Sequence, residues 1–176
     1  MLGRSMAASR RKIELTQEYL KEVLHYDPET GIFTWRSSGK GRKLGRPAGA
    51  LHKKLGSVQL FVGGRLYYAH RLAWLYMTGS WPREHIDHID GDPSNNRWVN
   101  LREATNAENL QNQRHARKDN LSSGLPGVTW HKQGRKFMAQ ISVDEKRIYL
   151  GLHETAQEAH QAYLKAKREL HPFGVI

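Results

Sequence analysis

Cysteine is absent from the 176-residue sequence. This absence excludes disulfide bonds and every zinc site that depends on thiolate ligands. A metal ion bound by this chain must therefore be held by oxygen and nitrogen atoms.

Long hydrophobic runs are missing as well. No apolar stretch approaches the roughly 20 residues that a membrane-spanning helix needs, and the N-terminal segment MLGRSMAASRRK lacks the apolar centre of a signal peptide. We therefore expect a cytosolic protein. Met6 is an alternative natural start, which would make the residues before it vector-derived.

Acidic residues are few compared with basic ones. The chain has 17 Asp and Glu against 28 Lys and Arg, which gives a net charge of +11 and a pI near 10.0. This balance indicates a polyanionic partner, most commonly nucleic acid, with generic basicity as the alternative. A hydrophobic content of 38%, with five Trp, is enough for a folded core, and the length suits one ordinary domain or two small ones.

The first half of the chain shows ordinary local signals. Its patterns predict a helix over 16–24, a turn and strand within 26–35, a hairpin within 57–70 that turns at Gly63-Gly64, and a helix ended by Gly79. Between them, residues 36–49 (RSSGKGRKLGRPAG) are basic, rich in Gly and without periodicity. They predict a mobile loop, which either lies along phosphates or is simply solvated.

A polar stretch follows at residues 85–113, HIDHIDGDPSNNRWVNLREATNAENLQNQ. It predicts a short strand ending at Ile89, a turn-rich loop, a second short strand WVNLR, and a helix beginning at Thr105, because Thr105 and Glu108 have capping-box spacing. The helix has too few apolar residues for a core helix. Helical spacing places Asn109, Asn112 and Gln113 on one face, which suits a polar ligand.

The segment AHRLAWLYMTGSWP, followed by IDHIDGDPSNNRWVNLREATNAEN, resembles the HNH endonucleases of the ββα-metal fold, especially those of phages and mobile introns. The resemblance covers roughly residues 25–115. It implies that His88 is the general base, Asp87 a metal ligand, Asn100 the residue that fixes the loop and His88, and Asn109 the second metal ligand. The third residue of the motif, Asn109, is Asn as in intron-type members, whereas many other relatives have His at this position.

These residue types suit hydrolysis of a phosphodiester. Neutral His, with an ordinary pKa of about 6.5, can take a proton from water near neutral pH. A carboxylate and an amide oxygen favour Mg²⁺ or Mn²⁺ over zinc, and one ion suffices to stabilise charge on the departing 3′ oxygen. Arg97 and Arg102 are expected to hold neighbouring phosphates, with salt bridges to Glu103 or Glu108 as the alternative.

Adjacent residues of a regular strand point to opposite faces, so Asp87 and His88 can share a site only if the strand distorts or ends there. By strict alternation His85 would share a face with Asp87, and it is the reserve ligand. For His25, His52 and His70 the expected role is structural.

A second composition shift occurs at residues 113–127, QRHARKDNLSSGLPG, which are first basic and then rich in Ser, Gly and Pro. This pattern is typical of a linker that lies on DNA. The residues expected to contact DNA here and on the preceding helix are Asn112, Gln113, Arg114, Arg117 and Lys118.

The last fifty or so residues predict a separate small module. Period-two patterns indicate three strands within 125–152, with turns near Gln133-Gly134 and Asp144-Glu145 and one apolar face that includes Trp130 and Ile148. The helix predicted at 155–171, with Thr155 and Glu158 as its capping box, would cover that face with mostly small residues. The other face is polar and basic, and either enters a DNA groove or is solvated.

The sequences GVTWHKQGRKFMAQISV, KRIYLGLHETAQEAHQAY and AKRELH resemble the plant ethylene-response-factor (Apetala-two type) DNA-binding domain and its relatives in phage and intron endonucleases. The resemblance implies that the sheet binds the major groove. Plant members use several arginines in the first strand, where this chain has Thr129, Trp130, His131 and Lys132. The expected DNA contacts of the module are Thr129, His131, Lys132, Arg135, Lys136, Met138, Gln140, Arg147 and Tyr149.

Together these features predict an α+β protein with four segments: an N-terminal extension (1–24), an HNH domain (25–118), a linker (119–124) and the C-terminal module (125–176). The predicted function is metal-dependent cleavage of double-stranded DNA in a bacterial or phage-infected cell, in a homing or phage-associated role. A monomer is expected, without membrane or small-molecule substrate. The alternatives are a non-cleaving, transcription-factor-like DNA-binding protein and, more remotely, an RNA-binding protein.

Overall fold

The computed structural model describes residues 15–113, 115–116 and 120–175. The chain forms two compact units. Of the described residues, those up to 88 together with 92–102 form the first unit, and residues 89–91 and those from 103 onward form the second. Short helices and small sheets make up both units, so the predicted α+β class is confirmed.

The first unit begins with a helix and a hairpin and continues into a three-stranded sheet. Its elements are α1 (Gln17–Val23), β1 (Leu24–Asp27), β2 (Ile32–Trp35), β3 (Ala50–Leu51), β4 (Val58–Val62), β5 (Arg65–Tyr68), α2 (Ala69–Thr78) and β6 (His85–His88). Strands β1 and β2 pair antiparallel, and so do β3 with β4 and β4 with β5.

Local chemistry accounts for these boundaries. Thr16 caps α1 by accepting a hydrogen bond from the Tyr19 amide. Gly63 and Gly64 both have positive φ, as the two-residue turn between β4 and β5 requires, and Gly79 ends α2 in the left-handed conformation. The predicted hairpin and both predicted helices are therefore confirmed.

One hydrophobic core holds this unit together. Leu20, Leu24 and Leu72 are fully buried in it, and they come from α1, β1 and α2. Tyr26 and Phe33 bring aromatic rings from the β1–β2 hairpin, with centroids 4.8 Å apart. Ile86 of β6 belongs to the same core, so the strand that carries the polar motif is anchored by its apolar neighbour.

The second strand of the polar stretch starts later than predicted. Residues Trp98–Asn100 form a 3-10 turn, and β7 (Leu101–Ala104) begins after it and pairs with β6. The Trp98 amide donates to the carbonyl of Pro28, 2.9 Å away in the β1–β2 turn, so its hydrogen bond goes to the hairpin and not to a sheet partner.

The second unit contains α3 (Asn106–Gln111), β8 (Val128–His131), β9 (Lys136–Val143), β10 (Lys146–His153) and α4 (Ala156–Leu170). The three strands form an antiparallel sheet with β9 in the centre. Both helices begin with the predicted capping box, at Thr105 and at Thr155. Asp144 and Glu145 have positive φ and form the predicted turn between β9 and β10.

Helix α4 packs on one face of this sheet. The buried cluster consists of Val128, Ala139 and Ala159, with Leu150 and Phe137 packed against it. Trp130 and Ile148, which were predicted on the covered face, remain 41% and 38% exposed. The small core leaves them uncovered because α4 contributes mainly alanine side chains.

A β-bulge interrupts β10. The register shifts between Tyr149 and Gly151, and Gly151 has a φ of +115°. As a result Leu152 lies opposite Met138, while His153 lies opposite Phe137. The strict alternation expected for this strand holds only up to the bulge.

The described part of the predicted linker is hydrogen bonded to β8. The Asn120 side chain donates to the carbonyl oxygens of Leu125 and Val128, and the Ser123 hydroxyl also donates to Val128 at 2.7 Å. Residues 120–124 are therefore built into the start of the C-terminal sheet. Within the described ranges, no helix has the length and apolar character that crossing a bilayer requires.

Candidate active site

The motif residues lie where β6 ends. Ile86, Asp87 and His88 are all buried although they are consecutive, while His85 is exposed. Asp87 is 6% and His88 8% exposed. β6 stops at His88, one residue before the predicted end at Ile89.

His88 is oriented by a neighbouring amide. Its Nε2 lies 3.3 Å from Oδ1 of Asn96. The Asn96 Nδ2 donates to the carbonyl of Ser94 at 2.9 Å, which fixes Oδ1 on the side of His88. Because an amide oxygen only accepts, this contact is a hydrogen bond in the tautomer that carries the proton on Nε2. In that tautomer the lone pair of the neutral imidazole lies on Nδ1.

The loop that carries Asn96 is fixed against the β1–β2 hairpin. The Tyr26 hydroxyl donates to the carbonyl of Asn96 at 2.6 Å. Gly31, in the hairpin turn with a φ of +73°, lies so close that a Cβ there would collide with the backbone of Asn96 and Arg97. Asn96 is 3% exposed, so its amide is held through both its backbone and its side chain.

Asn100 acts on the same loop from its other side. Its Nδ2 donates to the carbonyl of Asn95 at 2.8 Å. The resemblance implied that Asn100 fixes the loop and His88, and its side chain contacts the loop. Asn96 makes a side-chain contact with His88 that the sequence did not predict.

Asp87 is paired with Arg102. The Nε and Nη2 atoms of Arg102 lie 2.9 and 2.7 Å from Oδ2 of Asp87. The sequence predicted that Arg102 would hold a phosphate, with a salt bridge to Glu103 or Glu108 as the alternative. In the structure its guanidinium balances the charge of Asp87, the candidate metal ligand.

His70, expected to be structural, contacts the candidate base directly. Its ring meets that of His88 edge to face, with centroids 5.0 Å apart, and stacks on Tyr68. Burial, with smaller contributions from His88 and Arg71, lowers the pKa of His70 to about 3. His70 is therefore neutral at physiological pH and adds no charge beside His88.

Asn109 lies on α3, in the second unit, and is half-buried. The capping box fixes the start of this helix, and the Asn109 amide donates to the carbonyl of Thr105. Among the residues that the structure describes, no group of three or more His, Cys, Asp or Glu side chains is arranged to hold a metal ion.

The other predicted contacts near the motif are distributed unevenly. Arg97 and Gln113 are exposed, whereas Asn112 is only 5% exposed. The Asn112 side chain donates to the carbonyl of Ile89 and accepts from the Val175 amide, which favours a structural role over contact with DNA. Arg114, Arg117 and Lys118 lie outside the described residues.

The predicted DNA-facing side chains of the C-terminal sheet share one face. Strand register pairs Thr129 with Met138, His131 with Lys136, Gln140 with Tyr149, and Ser142 with Arg147. Lys132 and Arg135 are exposed in the β8–β9 turn. Lys136 forms a salt bridge, because its Nζ lies 2.6 Å from Oε1 of Glu154. Its charge is therefore partly balanced within the protein.

The basic loop 36–49 has a defined internal structure. Gly39 and Arg42 exchange backbone hydrogen bonds, and the Arg42 guanidinium lies over the Trp35 ring at 5.2 Å from its centroid. An open pocket of about 350 Å³ is lined by Trp35, Gly39, Gly41, Arg42, Lys43, Arg46 and Pro47. Its three cations suit an anionic group such as a phosphate.

Residues 67–111, which include the site at the end of β6, match the family model described as HNH endonuclease. The chain belongs to the HNH endonuclease family. It is 30% identical over 103 residues to Protein 3.8 of Escherichia phage T7, and this alignment covers 58% of the chain and 83% of that protein. A solved structure, described as DNA binding and cleavage by the HNH homing endonuclease I-HmuI, aligns with this one at a TM-score of 0.40. The alignment covers 78% of this chain and 75% of the other, with 24% sequence identity.

Proposed function

We propose that this protein is a metal-dependent endonuclease that hydrolyses phosphodiester bonds of double-stranded DNA. The observation that carries the proposal is the buried His88, whose Nε2 is held by Asn96 so that the basic lone pair of the ring lies on Nδ1. Membership of the HNH endonuclease family supports the assignment.

His88 acts as the general base in this proposal. Nδ1 takes a proton from a water molecule as the water oxygen attacks phosphorus, and the bond from phosphorus to the 3′ oxygen breaks. The 3′ oxygen leaves and is then protonated by solvent, which gives a 5′-phosphate and a 3′-hydroxyl. The imidazolium formed on the way still donates from Nε2 to Asn96, so the ring keeps its orientation through the step.

By residue type, the two proposed ligands suit a magnesium or manganese ion that is bound together with the substrate. Asp87 offers a carboxylate and Asn109 an amide oxygen, both hard ligands, and Mg²⁺ is commonly held by one or two carboxylates plus phosphate oxygens. A bound ion would supply Lewis-acid stabilisation of the departing 3′ oxygen. The Arg102 guanidinium on Asp87 weakens the attraction of that carboxylate for a free cation.

The C-terminal sheet is proposed to bind the DNA major groove with the face that carries Thr129, Gln140, Arg147 and Tyr149. The uncovered face, with paired rows of polar and basic side chains, supports this role. A sheet of this kind can enter the groove, and Arg147 together with Lys132 and Arg135 would meet phosphates or base edges. The basic pocket of residues 36–49 would hold a further phosphate.

The proposed setting is a phage-associated or homing role, which the phage T7 relative supports. The test is incubation of the purified protein with supercoiled plasmid and Mg²⁺ or Mn²⁺, with and without chelator. Nicked or linear product that the chelator abolishes, and that His88→Ala no longer forms while still binding DNA, supports the proposal. Binding without any cleavage by the unaltered protein would instead support a non-cleaving DNA-binding protein.

A further inference from the structure

Lys167 is a buried lysine that the proposed chemistry does not use. It lies near the end of α4 and is 2% exposed, which is unusual for a residue type that normally stays in water. Its Nζ donates to the carbonyl of Gln113 at 2.9 Å. Gln113 follows α3 in the chain, so this ammonium group ties the end of α4 to the segment that ends the helix of Asn109.

The segment 171–175, directly after α4, makes further hydrogen bonds to the end of α3. The Phe173 amide donates to Oε1 of Gln111, and the Val175 amide donates to Oδ1 of Asn112, both at 3.3 Å. Gly174 fits closely here, because a Cβ at this position would lie 2.7 Å from Cε of Lys167 and 3.1 Å from the carbonyl oxygen of Gln111.

Asn112 extends this set of contacts to the residue after the candidate base. Its Nδ2 donates to the carbonyl of Ile89 at 3.4 Å, and Ile89 is bonded to His88 in the chain. At the opposite end, Nε2 of the buried His171 lies 2.8 Å from the carbonyl of Ser142 in β9. Hydrogen bonds thus run from the central strand of the C-terminal sheet to the backbone beside His88.

Helix α3 needs support of this kind. It has only six residues, and none of them is buried, while helices shorter than about 12 residues are marginal on their own. The capping box fixes its start. The contacts of Lys167, Phe173 and Val175 fix its end.

We propose that Lys167 and the segment 171–175 are positioning elements of the nuclease. They hold α3, and with it Asn109, in one orientation relative to the DNA-binding sheet, and through Asn112 they fix the backbone that follows His88. The inference rests on the proposed function for its catalytic consequence. The contacts of Lys167 and the segment 171–175 with the end of α3 can be tested without any cleavage.

The first test compares Lys167→Met with Lys165→Met in the full chain. Met keeps the apolar stem of Lys167 but removes the ammonium donor, and Lys165 is an exposed residue of the same helix. With supercoiled plasmid and Mg²⁺, we expect kcat of Lys167→Met to fall by about 10-fold or more, as for other residues that orient metal ligands, while KM stays within about twofold of the unaltered protein. Lys167→Arg, which keeps a cationic donor, should recover part of kcat.

The second test uses Val175→Pro and Val175→Ala. Proline removes the amide that donates to Asn112, whereas alanine keeps it, so only the proline variant should lower kcat. Backbone hydrogen exchange should become faster at Asn109 and Asn112 in both Lys167→Met and Val175→Pro. Unchanged exchange at these amides would show that Lys167 and Val175 do not hold the end of α3. If the unaltered protein cleaves DNA, variants with faster exchange but unchanged kcat would overturn the positioning role. If the unaltered protein cuts no DNA while the variants still exchange faster, only the proposed function is refuted.

Discussion

Oδ1 of Asn96 lies 3.3 Å from Nε2 of His88, in a loop that the Tyr26 hydroxyl and the close approach of Gly31 hold in place. This relationship fixes the tautomer of the candidate base. The orientation of His88 that the proposed hydrolysis needs therefore depends on residues of the β1–β2 hairpin as well as on the loop itself.

Asn96→Ala removes the acceptor for the Nε2 proton of His88. General bases contribute about 10²- to 10⁴-fold to rates, and we expect loss of ring orientation to cost about 10-fold in kcat with DNA affinity unchanged. Plasmid-nicking kinetics measure this. Asn96→Asp, which keeps an oxygen acceptor, should remain nearer to the unaltered protein, and Asn106→Ala on the exposed start of α3 is the control. Equal activity of Asn96→Ala and the control would refute the role of Asn96.

Gly31→Ala should disturb the site from the hairpin side. Alanine at a positive φ costs about 1–2 kcal/mol by itself, and here its Cβ would also collide with the backbone of Asn96 and Arg97. Gly64→Ala is a matched control, since Gly64 has a φ of +83° but an added Cβ there would have no atom within 4 Å. We expect Gly31→Ala to lose more stability in urea unfolding and to lower kcat. Similar values for the two variants would show that the close approach has no consequence.

His70 should make the free energy of unfolding depend on pH in the acidic range. Its pKa is lowered to about 3 in the fold, against about 6.5 for an ordinary histidine. Between these values the unfolded chain binds more protons, so the free energy of unfolding should fall as the pH drops from about 6.5 towards 3 and be unaffected by His70 above that range. His88 and Arg71 are the neighbours that add to the shift.

Urea unfolding at neutral pH and near pH 5 measures this effect. His70→Phe keeps an aromatic ring for Tyr68 but cannot be protonated, and it should lose less stability on acidification than the unaltered protein. His25→Phe, at an exposed position of β1, should retain the full acid sensitivity. An equal acid response in His70→Phe and the unaltered protein would contradict the prediction.

Arg102 is expected to limit binding of a free cation. Arg102→Gln keeps hydrogen-bond donors near Asp87 but removes the positive charge, so Mg²⁺ should raise the melting temperature of this variant more than that of the unaltered protein. Because an ion that binds only the folded protein raises the melting temperature according to its affinity, the shifts of the variants compare their affinities for Mg²⁺. Arg97→Gln, at an exposed site, should respond like the unaltered protein. The same Mg²⁺ response in all three proteins would argue against competition at Asp87.

Binding to duplex DNA should depend steeply on salt. Each phosphate contact contributes about −0.9 to the slope of log K against log salt, so a chain with a charge of +11 should give a slope several units negative. Arg147→Ala on the exposed face of the sheet should reduce the slope by about one unit. Arg168→Ala on α4 should leave it unchanged, and an equal change in both variants would remove the assignment of the sheet face.

The local elements could be predicted from sequence because their signals are local. The capping boxes at Thr105 and Thr155 and the Gly63-Gly64 turn each depend on residues a few positions apart, and all three are confirmed. The α+β class follows from these elements and from the period-two strands of the C-terminal sheet.

The contacts that shape the site left no such signal. The Tyr26–Asn96 bond joins residues 70 positions apart and the Lys167–Gln113 bond residues 54 apart. A lysine is expected in solvent from its type alone, and Arg102 had nearer carboxylates in sequence than Asp87. The contact of His70 with His88 could have been suspected only from its place at the start of a helix beside aromatic residues.

The anchoring of α3 has a consequence for synthesis. Gln111 and Phe173 are 62 residues apart in the chain, so α3 gains this anchor only after the whole C-terminal sheet and α4 have left the ribosome. Until then α3 is held by its capping box and by the bond from Asn112 to the carbonyl of Ile89. The end of α3 should therefore become fixed late in translation, after the C-terminal sheet and α4 have formed.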